Sequence, residues 1–406
     1  MSLLMDQLLS LVDQSLLKKL IKMAMKDSTM PNFLNIKNFD KSFDDLSSLS
    51  QLREEAFLNL KDIGIPSKKF ERWKYNDLKN DIRNIEFSLC KTSIKIKKNK
   101  LDKFEINEID YFKKNKNHYL QPLKYLKDEG VVNLNLSYSN LFKVLTIKKD
   151  LKKPIIVDIK SEGHGMSFPR ILINIYNNVN AEIQFLNRGG LGFINQITEI
   201  NIGKNSSVKI SRLNESSSIH SETFFSNLGR NSEINLKNLS IPKNKSRFQV
   251  FNSFIDEYSS AQFKSVSIPY ENSKDDFLVH NNHLSSNCKS DVGMRSILGK
   301  ETESSFQALI DVENKIKNSR ADQDCRAILL DEKASMNAKP EMKIYNNDVI
   351  CKHGTTIGSL NQDHIFYLNS RGLNKFEAEK ILLQGIISEY ISEDSPLINF
   401  LPEKYK

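Results

Sequence analysis

At 406 residues and 39% hydrophobic content, the chain is too long for one ordinary core unless that core is elongated, and two or three domains are expected. Net charge is +9, yet only 12 of the 59 basic residues are Arg; nucleic-acid readers lean on Arg for bidentate contacts, so the Lys and Asn richness reflects biased codon usage and excludes a nucleic-acid partner. Four scattered cysteines, Cys90, Cys288, Cys325 and Cys351, without Cys-x-x-Cys spacing or a preceding signal peptide, argue against a disulfide framework and for a reducing, cytoplasmic setting.

Leu3 to Met25 is apolar at helical spacing, but Asp6, Asp13, Lys18, Lys19 and Lys22 interrupt it, so the segment predicts an amphipathic helix and no membrane insertion. Phe43 to Ile63 repeats the helical pattern through Leu46, Leu49, Leu52, Phe57 and Leu60, until Gly64 and Pro66 stop it. Residues 1–80 are therefore expected to form a helical domain, with Trp73 as a large aromatic anchor. Residues 81–153 read as a variable connecting region, in which the clusters Lys95 to Lys100 and Lys113 to Lys116 are solvated faces.

From residue 154 to 358 the texture changes to short alternating runs such as Ile171-Leu172-Ile173-Asn174-Ile175 and Ile197-Thr198-Glu199-Ile200-Asn201-Ile202, which read as strands. A small polar turn precedes an apolar residue at Ile183, Val208, Ile234, Phe263 and Val292, a recurrence of the length that one supersecondary unit of a repeat protein occupies. Strands and tight turns recurring at this spacing without an intervening helix suggest a β-solenoid, and a β-sandwich with regularly spaced strands remains the alternative. His280 and His283 in this region would point to opposite faces of a strand and are weighed as structural.

The most informative stretch runs from Tyr345 to Gly372. If Val349 to His353 is extended, Cys351 and His353 project from one side about 7 Å apart, a two-ligand platform that needs further groups to complete a metal site. Cys325, close to one such recurrence upstream, is a candidate for the neighbouring coil. Asn361 then caps a helix that Gly372 ends in the left-handed conformation. Asn374 to Ile391 forms a closing helix in the region 359–406, with a capping box at Asn374 and Glu377 and with Phe376, Ile381, Leu382 and Ile386 on one broad face. No P-loop, Gly-x-Ser-x-Gly, His-Glu-x-x-His or dinucleotide fingerprint occurs, so neither catalytic residues nor a bound nucleotide are expected.

The run Asp348-Val349-Ile350-Cys351-Lys352-His353-Gly354-Thr355-Thr356, followed by Phe366-Tyr367-Leu368-Asn369-Ser370-Arg371-Gly372, resembles the C-terminal pattern of the SufB/SufD family of iron–sulfur cluster assembly scaffolds. Gly64-Ile65-Pro66 with Glu71-Arg72-Trp73-Lys74-Tyr75 resembles the signature near that family's N-terminus. Within the family the SufD branch is the better match, because Lys333-Ala334-Ser335 stands where SufB carries a cysteine and Gly354 stands where SufB carries Glu. The resemblance implies a mainly β fold, a right-handed parallel β-helix between N-terminal and C-terminal helical regions. It also implies a scaffold role in a cytoplasmic complex with a SufB-type paralogue and a SufC-type ATPase, which builds a cluster and hands it to apoprotein recipients. On this reading Cys351 and His353 are transient iron or cluster ligands at the SufB interface. Phe366, Tyr367, Arg371, Phe376, Ile381 and Leu382 face the ATPase partner. A β-solenoid module that binds protein or carbohydrate without metal chemistry is the alternative from another class.

Overall fold

The structure, a computed structural model, describes residues 50–85, 88–97, 104–107, 129–139 and 141–405. The expected helix over Leu3 to Met25 and the cluster Lys113 to Lys116 lie outside them. From Leu141 onward the chain passes back and forth between two sheets, and nearly every neighbouring pair within a sheet is parallel. Each coil thus contributes one strand to a nine-stranded and one to a ten-stranded sheet, and the stacked coils form a parallel β-helix.

Alternation decides what the coil buries. In the nine-stranded sheet Ile183, Ile210, Leu236, Phe263 and Val292 sit one above the other, all facing the interior. Opposite them Phe248, Phe277 and Phe306 stack along the ten-stranded sheet, with the first two rings 5.8 Å apart and nearly parallel. Fully burying each such side chain contributes about 1.5–3 kcal/mol.

This observed row differs from the recurrence read in the sequence at its second and third members, where Ile210 and Leu236 stand in place of Val208 and Ile234. The two expected residues are two positions off, since Val208 lies beside Ala181 and Ala261 beside Ile234. A slip of two keeps every side chain on its own face, so hydrophobic alternation could not detect it.

Corner chemistry carries the missing register. Asn178, Asn205, Asn231, Tyr258, Asn287 and Asn318 all have positive φ and stand at the turns leading into the nine-stranded sheet. Asparagine reaches this region more readily than other non-glycine residues because its short amide bonds locally. The amides also bond from coil to coil: Asn205 Nδ2 donates to Asn178 Oδ1, and Asn231 Nδ2 to Asn205 Oδ1, both at 3.1 Å. Asn231→Ala is expected to lower stability by about 1–2 kcal/mol, and Asn231→Gly by less, in chemical denaturation of the full chain.

One edge of the interior is polar. Glu222 Oε2 accepts from Arg212 Nε at 2.8 Å, from Arg212 Nη2 at 2.6 Å and from Asn187 Nδ2 at 3.0 Å, while Thr198 Oγ1 donates to Oε1 at 3.2 Å. Arg212 Nη1 reaches Asn238 Oδ1, and its guanidinium lies 4.0 Å from the centre of the Phe248 ring.

Helical segments cover the outer faces. Helix α1 (Ser50–Ile63), α2 (Leu78–Ile82) and α3 (Gly130–Tyr138), with the turn holding Trp73, pack Phe57, Trp73, Leu134 and Tyr138 onto Phe193, Phe225 and Phe251 of the ten-stranded sheet. Trp73 Nε1 donates to Glu129 Oε2, the Arg247 guanidinium stacks over the indole at 4.0 Å, and Asn76 Nδ2 donates to Asp276 Oδ2. Trp73 is the expected structural anchor.

At the other end α4 (Gln362–Ser370) and α5 (Lys375–Ser388) lead into a C-terminal segment that covers Leu213, Leu239, Val266 and Ile297 of the nine-stranded sheet. Docking is closest at Gly293, where any Cβ would overlap the Tyr390 side chain. That tyrosine donates to Asp324 Oδ2, and Arg295 Nε donates to Glu389 Oε2 beside it.

The two ends of the solenoid differ. At the first end the outermost strands, Lys91–Lys97 and Glu105–Asn107, run antiparallel to Ile155–Glu162 and Leu141–Ile147, and each pairs on one side only among the described residues. At the far end the outermost strands, Ser335–Ile344 and Val349–Gly358, each pair on one side only among the described residues. Tyr345, Ile350 and Ile357 are exposed there. No helix among the described residues is long and apolar enough to cross a membrane.

Candidate functional site at the open end

The strand Val349–Gly358 lies parallel to Ser319–Leu329, with Cys351 opposite Ala321 and His353 opposite Gln323. Ala321, Gln323 and Cys325 are buried on the inner face, so Cys351 and His353 continue the interior rows into the last coil. The structure thus brings both residues to one face, as alternation predicted. Cys351 is half-buried against Ile310, Val312, Ile316 and Ala321, whereas His353 is exposed.

The electrostatics separate the two donors. Burial pushes the Cys351 thiol above its usual range, the negative charge of Asp322 adds to this, and a backbone hydrogen bond at Ala321 opposes it. Lys352 is on the opposite face and exposed, so it does not activate the thiol. A neutral imidazole needs no such activation to bind iron.

Cys325 is on the adjacent strand but opposite Thr355, four positions past Cys351 and about 13 Å along the strand. It is fully buried in the main core, where desolvation pushes its thiol up to about 12. The spacing between the two cysteines misled because the local coil is longer than the recurrence suggested, so that the residue stacked on Cys351 is Ala321.

His280 and His283 do face opposite ways. His283 stacks on Phe254 at 4.3 Å inside the solenoid and bonds Ser290 Oγ through Nε2, while His280 meets Phe251 on the outer face. Burial pushes both down to about 4 and keeps them neutral, and His220, bonded to Asn214, is pushed down to about 3 by burial and by Arg212. These histidines are structural.

Among the described residues no group of three or more His, Cys, Asp and Glu is placed to hold a metal. The open end offers two donors, and a tetrahedral iron or cluster site needs further ligands from another chain or molecule. Sequence reading missed Gln323, which lies directly under His353; only the true register of the last coil, invisible to the approximate repeat, identifies it.

The helices beyond the open end carry the second candidate surface. Asn361 caps α4 by accepting from Asp363 N and His364 N, Gly372 has φ +95°, and Asn374 with Glu377 completes the capping box of α5. The apolar residues of α5 divide between two sides. Ala378, Leu383, Ile386 and Ile387 are buried against the sheet and Leu382 is half-buried, but Phe376 and Ile381 face outward. The broad single face expected from sequence is therefore split, because docking onto the solenoid uses only one side. Phe366 is 75% exposed and Phe376 63%, with Tyr367 and Arg371 exposed beside them and the guanidinium 5.2 Å from the Tyr367 ring centre.

Comparison with known proteins matches residues 157–386 to the family described as "SUF system FeS cluster assembly, SufBD core domain", and residues 39–139 to "SufBD protein N-terminal region". The chain is 28% identical over 133 residues to the iron–sulfur cluster assembly protein SufD of Escherichia coli, covering 33% of this chain and 31% of that protein. It is 26% identical over 265 residues to an iron–sulfur cluster assembly SufBD family protein of Synechocystis sp., covering 60% and 57%. A 111-residue stretch is 23% identical to SufB of Bacillus subtilis, covering 27% and 24%. The matched stretches span less than two thirds of each of these relatives.

Proposed function

The chain belongs to the SufB/SufD family of iron–sulfur cluster assembly proteins, and from that premise we propose that it is a SufD-type, non-catalytic scaffold subunit. In this reading it pairs with a SufB-type paralogue in the cytoplasm, binds a SufC-type ATPase and supports a nascent cluster that passes to apoproteins.

The observation that carries the proposal is the open last coil. Two ten-residue edge strands with unpaired backbone groups flank a surface that presents Cys351 and His353, and edge pairing by a second solenoid would satisfy those groups. The partner would also bring the missing ligands to the pair. The stretch Lys333-Ala334-Ser335, which has no cysteine where SufB carries one, and Gly354, which stands where SufB carries glutamate, favour the SufD role over the SufB role.

The ATPase is assigned to the exposed side of α4 and α5, where Phe366, Tyr367, Arg371, Phe376 and Ile381 are accessible and Leu382 lies at the margin. Deleting the whole segment would be a poor test, because its inner side covers the nine-stranded sheet. The paired substitution Phe366→Asp with Phe376→Asp removes only the outer apolar side. Pull-down with this variant is expected to lose SufC at least tenfold and keep SufB, with an unchanged melting temperature. Full SufC capture would place the ATPase elsewhere.

A further inference from the structure

We propose that Gln323 is a positioning residue for His353, holding its imidazole in one tautomer so that a single ring nitrogen is presented to a borderline-soft divalent metal such as Fe(II). The inference rests on the reading of His353 as a ligand, but the tautomer itself can be tested without metal.

Gln323 is 3% exposed and sits on the inner face of the penultimate strand of its sheet. Its Nε2 donates to Ala308 O at 3.1 Å and to Glu341 O at 3.3 Å, so both amide hydrogens are used on backbone carbonyls of the opposite sheet. This fixes the orientation of the amide. Its Oε1 is buried and has no hydrogen-bond partner among the described residues.

A buried acceptor left unpaired is destabilising, so the position calls for a donor. Beneath Gln323 in the stack is Val292, which has none to give. Above it is His353, one strand spacing of about 4.8 Å away and on the same inner face. An imidazole N–H donating to Oε1 would satisfy the carboxamide and commit that nitrogen to its proton. The other nitrogen then keeps its lone pair toward the open end. Ligating histidines commonly have their second nitrogen held in this way, and loss of such a partner weakens metal affinity by about 10- to 100-fold.

The test uses the full chain labelled with 15N-histidine, in which seven histidines report and His353 is identified by its loss in His353→Ala. Long-range proton–nitrogen correlation at pH 8 should show His353 as one fixed tautomer in the native chain. In Gln323→Met the two ring nitrogens should move toward exchange-averaged positions. A merely structural glutamine would change the melting temperature of Gln323→Met and leave the tautomer alone. That result, or averaged nitrogens already in the native chain, overturns the proposal; if Gln323→Met does not fold, the tautomer of His353 in Gln323→Leu decides it in the same way. Cluster yield in the complex with a SufB-type partner then tests the underlying reading separately. A tautomer that depends on Gln323 together with unchanged yield in Gln323→Met retains the positioning role and removes His353 from the ligand set.

Discussion

Replacing Glu222 by Leu is expected to lower stability by about 3–5 kcal/mol, the largest loss we expect from any single substitution in the solenoid interior. Glu222 and Arg212 are both almost completely buried, and the carboxylate accepts four hydrogen bonds from three residues. Removing it strands the Arg212 guanidinium in a dry interior beside the Phe248 ring. The substitution also leaves Asn187 and Thr198 without their acceptor. The double variant Arg212→Met with Glu222→Leu should recover a large part of the loss, since two apolar side chains replace the pair without leaving a charge behind. Urea denaturation of the three proteins checks this. A single variant within about 1 kcal/mol of the native chain would show that water reaches the pair.

His353→Ala is expected to reduce cluster assembly in the reconstituted complex at least tenfold, while Cys351→Ser reduces it less and both variants still pair with the SufB-type subunit. The asymmetry follows from the surroundings. The Cys351 thiol is half-buried and pushed toward its protonated form by burial and by Asp322, whereas His353 is exposed at the open end. Anaerobic reconstitution with iron and sulfide, read by visible absorbance, measures the yield, and melting temperature is recorded on the same samples. Full yield from the His353→Ala complex would end the ligand hypothesis. A lowered melting temperature with normal yield would make both residues packing groups.

Much of this was legible beforehand, for reasons that particular residues make clear. Alternation through Ile197 to Ile202 and the caps at Asn361 and Asn374 are local signals, and local signals survive in a single sequence. The Cys351 and His353 platform needed only period two, so it too was visible. What required coordinates was anything set by the partner strand. The two-position slips at Ala181 and Ala261 are silent to alternation, and the coils lengthen along the stack, from the one that sets Ile219 on Phe193 to the one that sets Ser335 on Glu303. That drift displaced Cys325 from Cys351 and hid Gln323 beneath His353. The division of α5 into a buried and an exposed side was equally hidden, because both sides carry large apolar residues and only docking through Gly293 and Tyr390 decides which side is covered.

The stacking of parallel coils on antiparallel first strands also sets an order of events during synthesis. The two antiparallel strands at the first end emerge from the ribosome before most of the rows that follow, and each later coil finds its template already folded one coil behind it. Growth can therefore proceed coil by coil with only short loop closures, and the newest coil is the surface on which the next one builds. While translation continues, that surface is covered by the next coil of the same chain. Only when Val349–Gly358 has been laid down does an edge remain that no later described strand of the chain covers.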